Sequence, residues 1–85
     1  MRTIKNYPNY SVTEAGDVLT SGLVLNKALS EKGFHLVCLS NDLGPTWFYV
    51  HKLVMDAFFG FSQSKIRHIN GDKTDNRLVN LEYFT

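Results

Sequence analysis

His68 lies in the run Lys65-Ile66-Arg67-His68-Ile69-Asn70-Gly71-Asp72, where an apolar alternation gives way to a turn sequence. An imidazole titrates near neutrality and can take up or release a proton at ordinary pH. The ordinary alternative for such a residue is structural: a histidine at a strand end, hydrogen-bonded to backbone. Asn76 and Asn80 follow it at eight and twelve residues. Asparagine side chains mimic backbone turns, so both are expected to organise bends. Asp72 and Asp75 carry oxygen donors that a cation accepts, but at turn positions they are expected to be solvated carboxylates. Arg67, directly before His68, has no lone pair to offer and stays protonated.

Six cations, Lys27, Lys32, Lys65, Arg67, Lys73 and Arg77, are candidates for phosphate contacts, or else ordinary solubilising charge. The run Trp47-Phe48-Tyr49 offers rings on which bases could stack. Its more usual place is in a core on one face with a half-buried patch on the other, and that is the expectation. His35 alternates with apolar residues and is expected on a strand surface. His51 opens a helical stretch and is expected to be structural.

The elements that must position these residues have to fit in 85 residues, room for one small domain and no second core. The hydrophobic fraction is 44% and the aromatic fraction 13%, ample for compact packing. A net charge of +1 is not the footprint of a strongly basic nucleic-acid binder, so DNA binding would rest on local placement of charge. A protein partner is equally compatible. Cys38 is the single cysteine, expected as a buried reduced thiol, which suits a cytoplasm. With three scattered histidines beside it, no structural zinc site is expected. No apolar stretch approaches the ~18 residues of a membrane span, and the N-terminus has no apolar signal region.

Along the chain, Tyr10-Ser11-Val12 is a short candidate strand. Val18-Leu19-Thr20 and Leu23-Val24-Leu25 flank the two-residue turn Ser21-Gly22, a hairpin signal. Phe34 to Leu39 alternates, with Phe34, Leu36 and Cys38 on one face and His35, Val37 and Leu39 on the other. After the turn cluster Asn41 to Pro45 comes the strand-like run Thr46 to Val50. From His51 the spacing of Leu53, Val54, Ala57 and Phe58 predicts a helix over 51–59, with Lys52 and Asp56 paired outside and Gly60 as its stop. A loop at 62–64, a strand at 65–69, turns at Asn70-Gly71-Asp72 and Asp75-Asn76, and a last strand at 82–84 complete the pattern.

The segments VHKLVMDAFFG and RHINGDKTDNRLVNLEYFT resemble the HNH endonucleases of phages and group I introns. The family pattern is a VHRLVAEAF helix, then V-(N/D)-H-x-D-G, then N-N-x-x-x-N-L-E-W. It is matched at Val50, His51, Leu53, Val54, Ala57, Phe58, His68, Gly71, Asn76, Asn80, Leu81 and Glu82. The upstream IKNYPNYSVTEAGDVLTS resembles the modular DNA-binding segment that often precedes this nuclease. The resemblance implies an α+β fold. A small antiparallel sheet (1–50) packs on one helix, followed within 51–85 by a truncated ββα-metal unit without its final helix.

It also implies a chemistry, hydrolysis of a phosphodiester with one divalent cation, Mg²⁺. His68 would be the general base and Asn80 its orienting partner, and the cation would steady the leaving oxygen. The sequence departs from the pattern at the metal. Arg67 stands where the family places an oxygen donor. The second ligand belongs about nine residues beyond Asn80, and the sequence stops at Thr85. Asn70 replaces the customary Asp. The expectation is therefore no metal site and no cofactor. The chain would be a non-cleaving protein of phage type that binds DNA, or that inhibits a host or defence protein handling nucleic acid, in the host cytoplasm. The alternative is an active nuclease or nickase using His68. Target sequence and oligomeric state are not legible.

Overall fold

A computed structural model describes residues 1–60 and 62–84. The first half divides into two antiparallel sheets. The first has β1 (Arg2–Ile4), β2 (Tyr7–Val12), β3 (Val18–Thr20) and β4 (Leu23–Val24) in that spatial order. The second has β5 (Ala28–Leu29), β6 (His35–Asn41) and β7 (Gly44–Tyr49). The helix α1 (Val50–Phe59) follows β7 without a break, and β8 (Lys65–His68) pairs with β9 (Leu81–Phe84) as a two-stranded ribbon. Among the described residues α1 is the one α-helix, and a single 3₁₀ turn at Leu78–Asn80 leads into β9.

Turn chemistry accounts for most of these boundaries. Ser21 (φ 51°) and Gly22 (φ 78°) both adopt positive φ, the geometry a two-residue hairpin turn needs. The β1–β2 hairpin turns through Asn6 at φ 68°, a conformation asparagine tolerates better than most residues. At the far end of α1, the Gly60 N–H donates to the Asp56 carbonyl at 3.0 Å with φ 82°, ending the helix where the sequence placed its stop. On its outer side Lys52 Nζ lies 3.0 Å from Asp56 Oδ1, as the four-residue spacing predicts.

The core lies between α1 and the two sheets. Val12, Val18, Val37, Leu39, Val50 and Val54 are fully buried there, with Leu53, Met55 and Leu81 nearly so. The period-two reading of β6 holds: Val37 and Leu39 face the core, and Leu36 and Cys38 lie on the other, half-open face. Met55 was not expected inside. The helix touches both sheets, which widens its buried face beyond the stripe of Leu53, Val54 and Ala57. The aromatic run of β7 divides between a core face and an outer face as expected, but the outer face is more open than a half-buried patch. Only Phe48 packs against the core, while Trp47 and Tyr49 are exposed on the opposite face.

Candidate nuclease-type site

His68 ends β8. Side chains alternate along this strand, so Lys65 and Arg67 lie on its exposed face, Ile66 is half-buried, and His68 is buried. Its Nε2 lies 2.8 Å from Oδ1 of Asn76, itself only 3% exposed. With the Asn76 amide in this orientation its oxygen accepts from Nε2–H, and the lone pair of the neutral ring then lies on Nδ1. Asn76 Nδ2 is buried with no partner among the described residues.

The resemblance implied that Asn80 orients this ring. In the structure the partner is Asn76, and the twelve-residue spacing marks a different role. Asn80 Oδ1 accepts from the Asn70 N–H at 3.0 Å, and its Nδ2 donates to Asn70 Oδ1 and to the Asp75 carbonyl, each at 2.9 Å. The Asn80 carbonyl accepts from the Ile69 N–H at 2.7 Å. Asn80 thus braces the loop 70–75 from below and fixes the backbone that leaves His68. Asn76 was legible as a turn residue. Its contact with His68 was not, because two asparagines in one loop look alike until the loop's path is known.

The N-terminal segment reaches this loop. The Leu78 N–H donates to the Glu14 carbonyl at 2.7 Å. Gly16, at φ +89°, approaches so closely that an added Cβ would lie 2.8 Å from the Asn76 carbonyl carbon and oxygen. The turn between β2 and β3 therefore supports the residue that holds His68.

Around His68 the side chains are aromatic. Its ring lies 5.2 Å from that of His51, edge-on, and 5.9 Å from Phe34. His51 in turn stacks on Tyr49 at 5.2 Å and 22°. The Nδ1 of His51 is buried without a partner among the described residues. Burial first, then the neighbouring His68 and Lys52, hold its pKa down at about 4, against an ordinary 6.5. The folded protein thus keeps His51 neutral at pH values where the unfolded chain takes up a proton. The His51 contribution to stability should be lost as pH drops from about 6.5 to about 4, on the order of 1–2 kcal/mol once the ring's partial exposure is discounted, before the lowered carboxylates add their own loss at more acid pH. Thermal unfolding across that window should show the decline. His51→Phe should flatten it but not abolish it, because His35 is also held below its usual range, by burial and then by Lys27.

The six candidate cations do not gather at one place as free charges. Lys27 pairs with Asp17 at 3.2 Å, Arg77 with Asp75 at 2.8 Å, and Arg67 with Glu82 directly across the ribbon. Lys73 Nζ donates to the Lys32 carbonyl at 2.9 Å and sits 5.1 Å from the centre of the Phe34 ring. Among the described residues the ammonium groups of Lys32 and Lys65 have no ion-pair partner, and both residues are exposed. The hydrogen bonds of Arg77 hold the Asp75 carboxyl at about 2, and those of Thr74 hold Asp72 below its usual range. Both carboxylates are therefore engaged within the loop.

Among the described residues, the position before His68 supplies a divalent cation with no donor. The residue before His68 is a guanidinium, tied to Glu82 on the face of the ribbon opposite His68. Among the described residues no three His, Cys, Asp or Glu side chains cluster as ligands.

A strand ending in a histidine, an asparagine-braced loop and a returning strand, preceded by a helix, define an HNH nuclease-like fold. Residues 48–85 match the family described as HNH endonuclease. Among solved structures, the chain is similar to the HNH homing endonuclease I-HmuI, reported with its DNA binding and cleavage. The two share 30% identity at a TM-score of 0.89, over 99% of this chain and 51% of that one. The chain thus spans about half the length of that relative. No curated protein matches it. Residues 48–85 are thus HNH endonuclease-like in sequence, and the chain as a whole shares its fold with an HNH homing endonuclease.

Proposed function

We propose that this chain binds DNA without cutting it, as a degenerate HNH homing-endonuclease segment of phage type working in the host cytoplasm. The observation that carries the reading is Arg67. It stands at the donor position of the family pattern, and its charge is spent on Glu82. A guanidinium offers a cation no lone pair, and it would contact a phosphate only by leaving Glu82. Residues 1–50 would serve as the DNA-binding part and 51–85 as the HNH-like part. The contact of Gly16 with Asn76 supports their acting as one unit. Lys32 and Lys65, exposed and unpaired, are the first phosphate contacts, with Lys73 beside Lys32. Lys27, Arg67 and Arg77 would have to exchange a carboxylate for a phosphate.

The test is affinity for a duplex across salt. Binding should weaken steeply as salt rises, because each neutralised phosphate releases counterions. Changing Lys32, Lys65 and Lys73 together to alanine should lower the logarithmic salt slope by roughly two to three, with little change in sequence preference. Absence of duplex binding at low salt would sink this reading. It would point instead to an inhibitor of a nucleic-acid-handling protein.

One observation favours a second reading, an active nickase. Asn76 engages His68 at Nε2, and Nδ1 makes no hydrogen bond among the described residues. In that reading the cation, Mg²⁺, would have to draw its donors from outside the described residues.

A further inference from the structure

The second sheet has one face turned away from the core, and its composition is specific. Cys38 stands opposite Trp47 across the β6–β7 pair, Leu36 opposite Tyr49, and Ser40 opposite Pro45. Paired residues share a face, so Trp47 and Tyr49 stand side by side on it, 59% and 43% exposed. Exposed aromatics of this size on a sheet need an explanation, since burying them is what ordinarily makes them useful.

The rings form a line. From Trp47 the face continues to Tyr49, whose ring meets Phe34 edge-on at 5.6 Å and stacks on His51 at 5.2 Å. Phe34 and His51 both touch the ring of His68. Cations stand at both ends. Lys73 holds its ammonium over Phe34 at the His68 end. At the other end Lys27, which would exchange its partner Asp17 for a phosphate, lines a shallow depression of about 260 Å³ beside the indole, together with Leu25, Asn26 and Ala28.

We infer that this face takes the unpaired bases of single-stranded DNA, stacked on Trp47 and Tyr49, and leads the strand toward His68. The inference rests on the nucleic-acid reading above and deepens it. Three physical points select a single strand over a duplex. Flat apolar rings bind the faces of bases, and in a duplex those faces are covered by neighbouring pairs. Reading a duplex groove requires polar side chains aimed at base edges, whereas this face is built from Leu36, Cys38, Pro45, Trp47 and Tyr49, with Ser40 as the one polar residue along the β6–β7 pairs. Side chains two apart on a strand stand roughly 6.6 Å from each other, about twice the ~3.4 Å rise of one base, so the two rings can hold one base between them. Aromatic platforms flanked by cations are the usual solution for unpaired nucleic acid.

Trp47 is the single tryptophan of the chain, so its emission reports on this face alone. The probe is a mixed-sequence single-stranded DNA oligonucleotide carrying a fluorophore for anisotropy, with the matching labelled duplex in parallel. In each titration, tryptophan emission of an unlabelled duplicate is followed. The expected result is saturable quenching of Trp47 by the single strand, with the same midpoint as its anisotropy. Trp47→Ala should weaken single-strand binding about ten-fold and leave duplex affinity unchanged, and Trp47→Phe should restore most of the loss. The exposed position of Trp47 makes a folding defect unexpected, and quenching in the unaltered protein is a readout that needs no variant. Duplex binding without tighter single-strand binding, or single-strand binding that leaves Trp47 emission unchanged, would overturn this inference and leave the proposed function standing. Binding to neither DNA would overturn both.

Discussion

Replacing Gly16 with alanine should destabilise the protein by about 2–4 kcal/mol and displace the His68 ring. Two costs add. At φ +89° an L side chain is strained, by roughly 1–2 kcal/mol. The new Cβ would also lie 2.8 Å from backbone atoms of Asn76, and backbone cannot yield as a flexible side chain does. Something must shift, and the nearest thing is the residue whose amide holds His68. Gly22→Ala is the control. Gly22 has φ +78° and open space around its missing Cβ, so it should pay the conformational cost alone. The difference between the two unfolding free energies isolates the close approach. If Gly16→Ala and Gly22→Ala cost the same, and the His68 ring resonances do not move in the first, the β2–β3 turn does not support the site.

The second large effect separates the two asparagines. Asn80→Ala should cost about 2–4 kcal/mol, because it removes three side-chain hydrogen bonds and leaves the Asn70 N–H without its acceptor. Asn76→Ala should cost less, about 1–2 kcal/mol, since the buried Nδ2 that has no partner disappears along with the bond to His68. The ranking reverses for the imidazole. Asn76→Ala should change the tautomer balance of His68, seen in its ring nitrogen shifts, while Asn80→Ala should leave Nε2 protonated wherever the loop still folds. A tautomer change in Asn80→Ala alone would restore Asn80 as the orienting residue.

What the sequence made legible was what depends on short-range pattern. The Ser21-Gly22 hairpin, the 51–59 helix with its Lys52–Asp56 pair, and the strand carrying His68 all follow from turn chemistry or a hydrophobic period. Strands β1 and β5 escaped notice, because two or three residues hold no period and such strands exist only through their partners. How open the outer face of β7 would be was not legible, for a related reason. Alternation shows that Trp47 and Phe48 point opposite ways, but which side meets the helix is decided by the packing of the whole. The site was legible by family pattern at His68. The role of Asn76 depends on a loop folding back over eight residues with Gly16 beneath it, a tertiary fact that no local pattern carries.

The central claim is that the chain engages DNA with a site that has lost its metal donor. The most direct measurement is nicking of supercoiled plasmid by protein free of contaminating nuclease, across Mg²⁺ and Mn²⁺ concentrations at which binding to the same plasmid is shown separately. Losing one preorganised electrostatic group ordinarily costs ~10²–10³ in rate, and losing the cation should cost more. Arg67→Asp restores one donor and by itself is expected to restore nothing, because a single carboxylate holds Mg²⁺ too weakly against its hydration. The account predicts plasmid that is bound and remains supercoiled at every metal concentration. Nicking that requires Mg²⁺ and disappears in His68→Ala would contradict it.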